Sequence, residues 1–226
     1  SLLLINGQLG YMSQINGAAA VLIVSLICSF MPKNFTLFAA AAFVTLHLYE
    51  VSLECAGVAF VVFLLLFLLY FRFTPKGAVL VMITPLLFIL RIPYAAPIVA
   101  GLLGSPLSAV TVACGVVTYY MIHYMSMNAS LLTSAAADSM LTSIREILDG
   151  IFGNREMLII AAAFAVTTIL VYLVRKLSVD YSWTIAIISG ALLDIVVILV
   201  GDLIYDADFS IPGVLLGSIG GVFVAF

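Results

Sequence analysis

Asp194 is the residue in this sequence with the most chemistry to explain. It lies near the middle of the apolar run 181–204, and an ionised carboxylate at that depth in a bilayer costs about 2.5–3.5 kcal/mol on insertion scales unless it is paired or protonated. Its candidate partners are Arg91, in a proline-rich stretch, and His123, which follows Tyr119 and Tyr120 and precedes Tyr124. Two chemistries fit these residue types. In one, the carboxylate couples a proton or ion to movement through a polar cavity. In the other, it is half of a salt bridge that holds two helices together.

A second group is His47, Glu50 and Glu54. The two carboxylates are four residues apart with the imidazole one turn earlier, so a single helix face could carry all three. Such a set is a weak candidate for a divalent metal, because the spacing is not HExxH and a solvated helix end is the commoner explanation. Cys28, Cys55 and Cys114 sit in apolar sequence without CxxC or Cys/His spacing and read as small buried hydrophobes. Asp202, Asp206 and Asp208 make an acidic exit from the run 181–204, with Tyr205 as an interface anchor. No phosphate-binding loop, nucleophile elbow or dinucleotide fingerprint occurs, so no cofactor is expected and the sequence points away from an enzyme.

The third feature is a broken region. Pro85, Pro93, Pro97 and Pro106 share one stretch with Arg91, Gly101 and Gly104. Each proline removes a helical N–H and disfavours the α conformation just before it. The spacing predicts a discontinuous membrane segment, in which Arg91, Pro93 and Pro97 join His123 and Asp194 along a solute or ion pathway. A kinked but ordinary helix pair is the alternative.

The elements that must hold these residues follow from composition. Of 226 residues, 65% are hydrophobic and only 8% charged, and the mean hydropathy is +1.32, whereas soluble domains are about half apolar and a quarter charged. This is the signature of a membrane protein. With a net charge of −3 and no basic run, nucleic acid is excluded as a partner and the lipid bilayer takes its place. A span needs about 20 apolar residues, and the runs 18–31, 35–49, 55–73, 77–104 (with breaks), 107–125, 158–174 and 181–204 give seven, with 211–226 an incomplete eighth. They are continuously apolar rather than alternating, so the fold class is all-α: a polytopic transmembrane helical bundle of about seven to eight spans.

Between them, Met140, Leu141, Ile144, Ile147, Leu148 and Ile151 recur at helical spacing opposite Asp138, Thr142, Arg145, Glu146 and Asp149. This predicts one amphipathic interfacial helix over 134–152. The expected organisation is an N-terminal membrane part (1–125), an interfacial connector (126–157) and a C-terminal membrane part (158–226). Both ends fall in apolar sequence and read as cut from a longer chain. Loop charges leave orientation open, because Lys33, Arg72 and Lys76 alternate with Glu50 and Glu54 but Arg175 and Lys176 break the pattern. Gly213 and Gly217 form a small-xxx-small pattern suited to other membrane subunits or to a second copy of the chain.

Residues Ile92-Pro93-Tyr94-Ala95-Ala96-Pro97, followed through Gly101-Leu102-Leu103-Gly104-Ser105-Pro106-Leu107, resemble a segment of small bacterial membrane families in which a proline-rich entry leads to a Gly-Leu-Leu-x-Gly-Pro turn. The nearest are the substrate-binding subunits of energy-coupling-factor vitamin transporters and the cell-shape protein MreD. This chain departs from them in having Gly-Ser-Pro for Gly-Pro and more than their usual six helices. The resemblance implies a bacterial cytoplasmic-membrane protein. The reading that best unites these features is a permease-type protein binding or moving a small solute or ion, and the competing one is a non-catalytic scaffold or assembly subunit.

Overall fold

The computed structural model describes residues 18–74, 77–129, 140–207 and 209–226, and among them every regular element is a helix. In chain order these are α1 (Ala18–Phe30), α2 (Lys33–Val51), α3 (Leu53–Phe73), α4 (Ala78–Ile89), α5 (Ala95–Leu103), α6 (Ser108–Met127), α7 (Met140–Phe152), α8 (Arg155–Arg175), α9 (Ser182–Tyr205) and α10 (Ile211–Ala225). Five of them, α2, α3, α6, α8 and α9, are long and apolar enough to cross a membrane. The expected count of seven to eight is not reached among the described residues. Composition alone does not register where a turn ends a helix. The run 77–104 yields helices of 12 and 9 residues, and 211–226 yields one of 15. At about 1.5 Å per residue each is too short for ~30 Å of hydrocarbon.

The helices fall into two compact units. The first comprises the described residues of Ser1–Leu69 and Tyr120–Gly153. There α1 packs on α2 around Val21 and Phe43, and Phe38 of α2 meets Phe67 of α3 with ring centroids 4.4 Å apart. Between them Ser52 ends α2 and caps α3, its Oγ accepting a hydrogen bond from the Cys55 N–H at 3.1 Å, which satisfies one of the orphan donors of the new helix. In α7, Ile147 and Ile151 are buried while Thr142, Arg145, Glu146 and Asp149 are exposed. The two-faced character expected of this segment is therefore present over the described helix, and residues 130–139 lie outside the described part. Cys28, Cys55 and Cys114 are all free and buried.

The second unit comprises Tyr70–Tyr119 and Asn154–Phe226. Its centre is the shortest helix. α5 packs against α8, α9 and α10, and α8 and α9 form the main pair beside it. Ile98 and Leu102 of α5 share a core with Val171, Ala186, Ile187 and Ala191. Small residues bring the backbones together: a Cβ on Gly101 would lie 2.7 Å from Val171 Cβ and 2.8 Å from the Thr168 carbonyl, and one on Gly190 would meet Val171 from the other side. At the far end Asn154 caps α8 through Met157 N–H, and the Arg155 guanidinium donates to the Tyr205 carbonyl at 2.7 Å, satisfying an end carbonyl of α9.

The outer face of α9 carries Ile188, Leu192, Val196, Val200 and Leu203, all exposed. Its inner face carries Ala186, Gly190, Ala191 and Asp194. A surface that is apolar outside and holds its mid-helix carboxylate, Asp194, inside reverses the soluble pattern. These helices fit a multi-pass membrane protein.

Candidate functional site

The site is built where α5 begins. α4 ends at Leu90, and Arg91 takes a left-handed conformation with φ 61°. The Arg91 N–H donates to the Phe88 carbonyl and the Ile92 N–H reaches back to that of Leu87, both at 3.0 Å. This is the Schellman arrangement that closes a helix, normally built on glycine, and Pro93 follows it as a stop. Tyr94 then caps α5, and Pro97 falls in the first turn of that helix. A first-turn proline loses nothing by lacking an N–H. So Pro97 helps start a helix rather than breaking one.

Tyr94 is buried, its ring lies on Gly217 of α10 and edge-on to Phe164 of α8, and it is within electrostatic reach of Asp194. From there α5 ascends beside α8, with Ile98 near Gly190 and Gly101 on Val171. Its N-terminus thus sits at the depth of Asp194, which is twelve residues from the start of α9 and eleven from its end, about 18 Å either way.

Asp194 is 0% exposed. Its Oδ1 accepts a hydrogen bond from Thr167 Oγ1 of α8 at 2.7 Å, and its Oδ2 has no protein partner. Nearby on α8, Thr168 turns its hydroxyl to the Phe164 carbonyl. Ser218 of α10, next to Gly217, is 1% exposed with an unpartnered hydroxyl. The arrangement is one buried carboxylate held on one oxygen by the Thr167 hydroxyl and open on the other.

The expected partners of that carboxylate are elsewhere. Arg91 is exposed at the helix-ending turn and makes no ion pair with Asp194, because its backbone closes α4 and directs the side chain outward. His123 is exposed on α6 and belongs to the first unit. Pro93 and Pro97 flank Tyr94, which is the member of this stretch that approaches Asp194. His47, Glu50 and Glu54 do not share one helix face, since α2 stops at Val51 and leaves Glu54 in the first turn of α3. His47 is buried edge-on to Phe43, whereas Glu50 is exposed. Among the described residues no group of three or more His, Cys, Asp or Glu could hold a metal ion. Gly213 is exposed and meets only Ser210 of its own turn, and the free side of Gly217 is filled by Tyr94.

Sequence reasoning missed Thr167, Tyr94 and Ser218. A signal for the first existed: Thr167-Thr168 is the one hydroxyl pair inside the apolar helix α8, and in hydrocarbon such groups seek polar neighbours.

The turn also yields a test of sign. Arg91→Gly should stabilise the protein by about 0.5–1 kcal/mol, since relief of a left-handed non-glycine residue (about 1–2) exceeds the added chain entropy of glycine. A thermal melt showing a loss of several kcal/mol would instead mark Arg91 as half of an ion pair. No family model, curated protein or solved structure matches this chain.

Proposed function

We propose that the protein is a permease-type membrane protein whose second unit binds a small solute or ion at Asp194. In this reading α4 and α5 form one discontinuous membrane segment, α7 lies along the membrane surface, and the α5 N-terminus at mid-depth supplies the helix-end geometry that transporters use toward solutes. The observation that carries it is the open Oδ2 of Asp194, buried at mid-span with only the Thr167 hydroxyl on its other oxygen and not spent on an ion pair. A scaffold whose polar groups serve helix packing has no need of a carboxylate left half-satisfied, because each unsatisfied buried group costs about 1–3 kcal/mol. The local resemblance of residues 92–107 to transporter and MreD segments agrees with a bacterial membrane setting, and it falls on the stretch that holds Tyr94.

The test is access from water. Ser218→Cys in reconstituted protein should react with a membrane-impermeant thiol reagent, about 10- to 1,000-fold more slowly than an exposed thiol, as expected of a site opened in a minor conformation. The native Cys28, Cys55 and Cys114 set the background. Labelling of the Ser218→Cys variant no faster than that background would favour the scaffold.

A further inference from the structure

A carboxyl group at mid-membrane depth is either ionised beside a cation or neutral with a proton, and the groups around Asp194 decide between the two. Its side chain is 0% exposed. The helix that carries it, α9, packs against α5, α8 and α10. α10 holds no charged or titratable residue, and α5 offers only its cap Tyr94, an acid and not a cation. On α8 the cations are Arg155 and Arg175, twelve and eight residues from Thr167, which is about 18 and 12 Å along the axis. Both have other contacts: Arg155 donates to the Tyr205 carbonyl, while Arg175 and the neighbouring Lys176 lie over the Tyr172 ring. Glu156 and Tyr172, the remaining titratable groups of α8, are acids, as are Asp202 and Tyr205 on α9 itself. Arg91, at the turn before α5, is exposed. Among the described residues no cation is paired with Asp194.

The hydrogen bonding of the carboxyl points the same way. Thr167 Oγ1 donates to Oδ1 at 2.7 Å, and Oδ2 has no protein partner. A single open oxygen is what a proton needs. A hard metal ion needs several oxygen ligands at once, and no group of three or more His, Cys, Asp or Glu among the described residues could hold one.

We propose that the ligand of Asp194 is a proton: in this conformation, closed to water, the side chain is the neutral acid with the proton on Oδ2, and its ionisation is linked to opening of the site. The inference rests on the reading of Asp194 as a ligand-binding group and names the ligand. Linkage fixes the sign. The closed state holds one proton more than a hydrated, ionised state, so raising the pH favours opening, by up to about tenfold in population per pH unit. Acidification closes the site again.

The experiment is infrared spectroscopy of the full chain in nanodiscs of neutral lipid, with aspartate isotope-labelled at its side-chain carboxyl carbon. At neutral pH the wild type should show the carbonyl stretch of a protonated aspartic acid, moved by the label, and Asp194→Asn should lack it. At alkaline pH the band should fade as a single-proton titration. Asp194 is the one buried carboxylate among the described residues, so the wild-type band alone decides the matter where the variant fails to fold. Absence of the band at neutral pH overturns the proposal, and so does its survival in folded Asp194→Asn. Over the pH range in which the band fades, thiol labelling of Ser218→Cys, measured relative to an exposed cysteine, should accelerate by up to about tenfold per pH unit. A constant non-zero ratio overturns the link to opening and the proposal with it. A band without thiol labelling at any pH would leave the proton on Asp194 standing and remove the permease, and labelling without a band would do the reverse.

Discussion

Asp194→Leu should make the protein more stable, by about 1–3 kcal/mol, while abolishing whatever binding the site performs. Leucine removes a carboxylate that is 0% exposed and half-satisfied, and replacing buried ionic groups with apolar ones of similar volume is often neutral or stabilising by about 1–4 kcal/mol. The Thr167 hydroxyl, which donates to Asp194, can turn to the carbonyl four residues earlier, as Thr168 already does toward Phe164. Asp194→Asn keeps a hydrogen-bonding oxygen for Thr167, so its melting temperature should stay near that of the wild type. Melting curves for both variants, taken beside a binding or ion-response measurement, check this. A collapse in stability of several kcal/mol for either would mean that a cation is paired with Asp194, the outcome expected of a structural salt bridge.

Gly101→Leu should be the most damaging change in the second unit, costing about 3 kcal/mol or more. A Cβ at Gly101 would meet Val171 Cβ at 2.7 Å and the Thr168 carbonyl at 2.8 Å. The carbonyl belongs to a helix backbone and cannot rotate aside, so α5 itself must move, and overpacking of this kind costs about 1–3 kcal/mol even for small additions. Gly57 in α3 is the control, because a Cβ there meets nothing within 4 Å. Gly57→Ala should gain about 0.5–1 kcal/mol from helix propensity alone. Melts of the two variants should therefore move in opposite directions, and a parallel shift would mean that α5 is not held where the Gly101 contact places it.

The helices were legible and their junctions were not. Continuous apolar runs place α2, α3, α6, α8 and α9 within a few residues, because in hydrocarbon only a helix satisfies its own backbone. The end of α4 carried no such mark. Its left-handed closing residue is Arg91 rather than glycine, so a helix terminus read as a buried charge seeking a partner. Pro97 read as a breaker because spacing does not say which turn of a helix a proline occupies. Asp194 could be singled out from depth alone, since cost follows burial. Its neighbours could not, because Thr167 and Tyr94 meet it through folding and lie 27 and 100 residues away in the chain. For the same reason His47, Glu50 and Glu54 looked like one face until Ser52 divided them.

The smallness of α5 bears on how the chain is assembled. Nine residues give a rod of about 14 Å, too short to settle across a bilayer by itself, and the surfaces that enclose it, on α8, α9 and α10, are synthesised 52 to 122 residues after Leu103. Insertion and docking are therefore separate events for this stretch. Until Gly217 arrives, Tyr94 has no seat. A ribosome stalled before Ile211 would hold a chain with most of its long helices inserted and its centre still unmade, which makes α10 the element that seats Tyr94.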